Sequence, residues 1–136
     1  MTSSLSLEAD LLYALAVTVL IETSVLLAGW RWFAAGAPLR WRRLLLAGVV
    51  PSAATMPYLW FILPHYVNGP AYLPLGESLV VLVEAPILAA LLDWRPTRAF
   101  LASLLCNGAS FLAGPWLLRG LATLLAFLGA RFGAGG

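Results

Sequence analysis

The chain has 136 residues, of which 62% are hydrophobic and 10% charged, with a formal charge of +2. A soluble domain is roughly half apolar and about a quarter charged, and a chain this short has too little interior to keep so much apolar side chain from water. The composition therefore implies an all-α integral membrane protein, and the small net charge speaks against a nucleic-acid partner, whose phosphates call for many basic residues.

The N-terminal stretch MTSSLSLEADLLYALAV has no basic region ahead of its apolar run. It is expected to lead into a span rather than to be a cleaved signal peptide. A lipid-crossing helix needs about 20 mainly apolar residues, and four segments qualify. The first is expected over 8–30 and the second over 41–64, with Pro51 and Pro57 inside it. The third is expected over 75–92, with Pro86 inside it, and the fourth over 97–118. Kinks are expected where these prolines remove a backbone donor. The apolar tail 119–136 reads either as an interfacial helix or as a fifth short helix after a break at Gly114–Pro115. The fold class expected is thus a single four-span helical bundle over 1–136, a first hairpin spanning 8–64 and a second 75–118.

Arginine placement sets the expected orientation. The first loop carries Arg31, Arg40, Arg42 and Arg43, and the third carries Arg95 and Arg98, whereas the middle loop HYVNGPAYLPLG has none. The first and third loops are expected to be cytoplasmic and the N-terminus outside. Trp30, Trp32, Trp41 and Trp94 then form one aromatic belt, and Tyr13, Tyr58, Trp60, Tyr66 and Tyr72 the other. All eight basic residues are Arg. With the abundant Ala, Gly and Leu, this looks like GC-rich bacterial coding, and the location expected is a bacterial inner membrane, with the RWRR cluster a secondary contact for anionic lipid.

An internal repeat is visible in the polar residues. Offsetting the first and third spans by 62 positions sets TVLIETSVLLAG against VVLVEAPILAAL, so that Glu22 falls on Glu84. Offsetting the second and fourth by 55 sets LLAGVVPSAAT against FLASLLCNGAS, so that Ser52 meets Asn107 and Thr55 meets Ser110. Two tandem hairpins in the same orientation would follow, related by an axis along the membrane normal.

An ionised carboxylate in hydrocarbon costs about 2.5 kcal/mol or more. Glu84 escapes that cost by taking up a proton, by hydrogen-bonding across helices to a residue such as Asn107, or by binding a cation, and the same holds for Glu22. The candidate site comprises Glu22, Glu84, Asn107, Ser110, Ser52 and Thr55, with Glu77 two turns from Glu84 marking an access route. The reading is a small proton- or cation-coupled transporter or channel-like protein, oligomeric because four helices enclose little volume. The alternative is a non-catalytic accessory or scaffolding subunit of a larger membrane complex, in which the polar groups hold helices together. The partners expected are the lipid bilayer, further copies or other membrane subunits.

No GxSxG, HExxH, CxxC or P-loop motif occurs, so no catalytic residue and no cofactor is assigned, and an enzyme is the less favoured class. The single Cys106 excludes an internal disulfide, and His65 stands alone as a metal ligand, so no metal site is expected. Size, four spans and a glutamate in the first span resemble the small multidrug resistance transporters. Those chains are shorter, carry that glutamate nearer the N-terminus and lack this paired-glutamate pattern, so no residue role is carried over.

Overall fold

The computed structural model describes residues 2–34, 36 and 38–133. Among them there are four long helices and no strand: α1 (Thr2–Phe33), α2 (Trp41–Pro57), α3 (Tyr72–Leu92) and α4 (Pro96–Gly133). Four stretches, Leu7–Phe33, Trp41–His65, Gly69–Leu92 and Pro96–Gly129, are long and apolar enough to cross a membrane. Each helix packs on its neighbour in sequence, and α4 closes the ring against α1.

The prolines act differently from one another. Pro51, Pro86 and Pro115 lie within helices that continue past them. Pro57 ends α2, and the chain widens into a π turn over Tyr58–Ile62 before a 3₁₀ turn at Leu63–His65. In that π turn the Leu63 N–H reaches back to the Tyr58 carbonyl. The next carbonyl, Leu59, would look to residue 64, but Pro64 has no N–H to give. The Tyr72 hydroxyl, at the start of α3, donates to the Leu59 carbonyl instead, at 2.7 Å.

The tail departs from expectation. It is not a separate fifth helix after a break: α4 runs unbroken through Gly114 and Pro115 to Gly133. A proline already has a helical φ, and losing one hydrogen bond does not stop a helix whose other turns are intact. Residues 134–136 lie outside the described part.

The α3–α4 connection is tight. Asp93 ends α3 in the left-handed conformation, φ 58°, which a short polar side chain tolerates better than most. Trp94 N–H bonds back to the Ala89 carbonyl at 3.1 Å, and Pro96 opens α4 at the position where a missing N–H costs nothing.

The arginine-bearing end of the bundle is filled by an apolar cluster, with Leu26 and Phe33 from α1, Leu44 and Ala47 from α2, Leu88 and Leu92 from α3, and Ala99, Ala102 and Cys106 from α4. Outside this cluster the buried residues include the polar Glu22, Ser52, Thr55, Glu84, Ser103 and Asn107, alongside apolar Val17, Met56, Leu63 and Val80. The outward faces carry Leu12, Leu20, Leu82, Leu105 and Leu112, each more than half exposed. An exterior so rich in large apolar side chains departs from that of a bundle folded in water, while the interior holds apolar and polar groups together.

Close approach of α1 and α2 depends on Gly48. A Cβ at this position would collide with the Thr23 side chain, whereas one at Gly108 would meet nothing. Gly48→Ala should lower stability by about 1–3 kcal/mol through overpacking, and Gly108→Ala should leave it unchanged. Thermal unfolding of both variants in the same detergent reads the difference.

Candidate functional site

Glu22 sits on α1 and Glu84 on α3, with exposures of 3% and 2%. Their donors come in pairs spaced three residues apart, Ser52 and Thr55 on α2, Asn107 and Ser110 on α4. That spacing puts both members of a pair on one helix face, one turn apart.

Every carboxylate oxygen of the two glutamates has a side-chain donor. Ser52 donates to Glu22 Oε2 at 2.5 Å, and Ser110 lies 3.4 Å from Glu22 Oε1. Thr55 donates to Glu84 Oε1 at 2.8 Å and Asn107 to Glu84 Oε2 at 2.7 Å. The Ser110 contact is the loosest, since its hydroxyl is nearer the Asn107 carbonyl, at 3.0 Å. Asn107 has a neighbour that fixes its amide: the Ser103 carbonyl, at 2.9 Å, can only accept, so the NH₂ must face it, and the same NH₂ reaches Glu84 Oε2.

The four bonds are distributed one to each helix interface: α2 to α1, α4 to α1, α2 to α3, and α4 to α3. Rotation of any helix by one residue, about a quarter turn or more, would withdraw a donor from a buried carboxylate. The network thus sets the rotational register of the whole bundle.

All seven residues singled out from the sequence, Glu77 included, line one cavity of about 610 Å³. Glu22, Glu84 and their donors form its inner end. Trp60, Tyr72 and Phe111 form part of its wall, and half-buried Glu77 lies between them and Glu84. Toward the arginine-bearing end the apolar cluster closes the bundle directly beyond Glu22 and Glu84. No arginine lines the cavity among the described residues, and no group of three or more His, Cys, Asp or Glu there could hold a metal ion.

Two contributors were not singled out as site residues beforehand. Ser103 hydroxyl points to the Val81 carbonyl at 3.3 Å and sits 3.3 Å from the Asn107 amide. Its position four residues before Asn107 was the available clue. Cys106 lies with its thiol 3.7 Å from the Glu22 carbonyl. It is a buried packing residue that ties α4 to α1.

Comparison of the chain with protein-family models, with curated proteins and with solved structures returns no match.

The Asn107–Glu84 bond should be measurable as a coupling. Interhelical hydrogen bonds of this type are worth about 0.6 kcal/mol on average and reach about 1.7. A double-mutant cycle of Asn107→Ala with Glu84→Ala, followed by reversible unfolding in mixed micelles, should return a coupling at the upper end of that range, because the acceptor is buried.

Proposed function

We propose that this chain is a multi-pass protein of a bacterial inner membrane that carries a proton or a small cation past Glu22 and Glu84. The carrying observation is the carboxylate pair itself: both groups are buried, every oxygen is hydrogen-bonded by a hydroxyl or an amide, and among the described residues no arginine lines their cavity. In so apolar a setting their charge must be met by protons or by a cation drawn from the cavity. Neutral hydroxyl and amide donors leave room for that exchange, whereas a fixed guanidinium would neutralise the pair permanently.

The lipid location is supported by four helices of spanning length and by the many large apolar side chains on the outer faces. The arginine-rich turns are assigned to the cytoplasm, which makes the cavity open outward and the apolar cluster its inner closure. Passage would then require the cluster around Leu26, Leu44 and Leu88 to part, as in alternating access.

The internal repeat supports the same reading. Glu22 takes Ser52 from its own hairpin and Ser110 from the other. Glu84 takes Asn107 from its own hairpin and Thr55 from the other. Under the offsets of 62 and 55 positions the first set becomes the second, residue for residue. Buried packing residues follow suit, with Leu26 matching Leu88, Leu44 matching Ala99, and Ala47 matching Ala102. A two-fold axis between the glutamates accounts for all of these pairs. Two near-equivalent half-sites offer an ion two adjacent resting places, which suits passage better than a single deep well. Association of several copies fits a bundle too thin to enclose a wide path.

The test is ion flux into proteoliposomes with proton-, sodium- or potassium-sensitive dyes trapped inside, under the matching imposed gradient. The wild-type chain should move one of these ions, and Glu22→Gln and Glu84→Gln should each reduce the flux to that of empty liposomes while the helical circular dichroism is unchanged. Flux equal to wild type in both variants would leave the glutamates as helix-packing groups and overturn the transport reading.

A further inference from the structure

The end of the bundle opposite the glutamate cavity holds a second concave site. It has a volume of about 300 Å³ and lies where the α1–α2 and α3–α4 turns meet. Arg40 and Arg43 line it from one turn, Arg95 and Arg98 from the other. The two pairs have the same spacing and correspond under the offset of 55 positions that relates α2 to α4. Arg40 directly precedes α2, and Arg95 directly precedes α4.

Four guanidiniums here face one carboxylate lining the same cavity, Asp93, and among the described residues no ion pair draws any of them to a carboxylate. Like charges gathered in one concavity repel unless an anion is shared among them. The forked donors of arginine fit phosphate oxygens bidentately, and the starts of α2 and α4 add partial positive charge from the same side. Trp30 and Trp94 line the cavity too, with ring centroids 5.7 Å apart, at the ends of helices long enough to cross a membrane. Tryptophan at that level is typical of the headgroup region.

An apolar track begins beside this basic cavity. Pro96, adjacent to Arg95, opens a groove of about 530 Å³ between α3 and α4, floored by Ala85, Pro86, Ala89 and Ala90. Leu82 and Phe100 belong both to this groove and to a second one of about 570 Å³ that reaches Leu73. The second groove is apolar apart from Glu77, Ser78 and Asn107 toward its far end. From Ala90 to Leu73 the track follows roughly 25 Å of helix, more than the ~15 Å of one hydrocarbon leaflet. A cationic pocket large enough for a phosphate, with an acyl-length groove starting one residue away at Pro96, suits the charge and length of a phospholipid.

We propose that the four arginines and the α3–α4 groove form a binding site for an anionic phospholipid, its phosphate held by Arg40, Arg43, Arg95 and Arg98 and one acyl chain lying along Ala90, Pro86 and Leu82. The arginine pocket lies at the other end of the bundle from the glutamates, the far groove shares Leu73, Glu77, Asn107 and Phe111 with the glutamate cavity, and the proposal rests on the membrane location rather than on transport.

Native mass spectrometry of the full chain, released from detergent containing equal amounts of phosphatidylglycerol and phosphatidylcholine with the same acyl chains, tests this. The wild type should retain phosphatidylglycerol selectively. The pair Arg40→Gln and Arg98→Gln should weaken that retention by about tenfold or more, given the strength of a single juxtamembrane charge. The pair Arg31→Gln and Arg42→Gln removes the same charge from outside the cavity and should have little effect. Ala90→Phe, at an exposed position, fills the groove without touching charge and should also reduce retention. Equal retention of the two lipids, equal losses from both arginine pairs, no effect of Ala90→Phe, or binding of inorganic phosphate in place of the lipid would each overturn the proposal.

Discussion

Two carboxyl groups in an apolar bundle impose the constraint on which the remaining structure depends. A buried glutamate without donors is among the costliest groups a helix can carry into an interior. Here each is met by two neutral donors, one from its own hairpin and one from the other. Because the four bonds fall on four different interfaces, the glutamates tie together helices whose leucine surfaces would otherwise slide and rotate with little penalty. Apolar contact between helices specifies register weakly when the surroundings are equally apolar, and a small number of polar contacts decides it.

The same arrangement divides the bundle along its axis. Toward the arginine-bearing turns, small residues such as Ala47, Ala99 and Ala102 let helices close on Leu26, Leu44 and Leu88. Toward the opposite end the helices part around a cavity walled in part by Trp60, Tyr72 and Phe111. The widening there is assisted by the π turn after Pro57, which changes the pitch of the chain and leaves a carbonyl for Tyr72 to satisfy. The bundle is tight at one end and open at the other, and its two ends carry different chemistry: carboxylates within an aromatic-walled cavity, and guanidiniums beside tryptophan.

Much of this was legible in the residues. Long apolar runs separated by polar or basic turns indicated four helices, because apolar length needs no tertiary information to be recognised. Glu22 and Glu84 stood out as polar exceptions within such runs. The matching of Ser52 with Asn107 and Thr55 with Ser110 under one offset picked out the remaining donors. The end of α4 was misread, since Gly114 and Pro115 look like a break when neighbouring turns cannot be weighed against them. Ser103 and Cys106 drew little attention because a hydroxyl or thiol in a membrane helix commonly bonds to its own backbone or simply packs.

Composition, the length of apolar runs and the spacing of polar residues determined by themselves that the chain is helical, where its long apolar runs lie and which few side chains are out of place in them. These properties are local or additive along the chain. Tertiary structure alone decided which donor serves which carboxylate oxygen, that α4 closes the ring onto α1, and that Arg40 and Arg43 share a cavity with Arg95 and Arg98. Those outcomes depend on the rotation and relative height of helices far apart in sequence, which are set by packing and by the cost of leaving a buried polar group unpaired, and no window of sequence contains both partners.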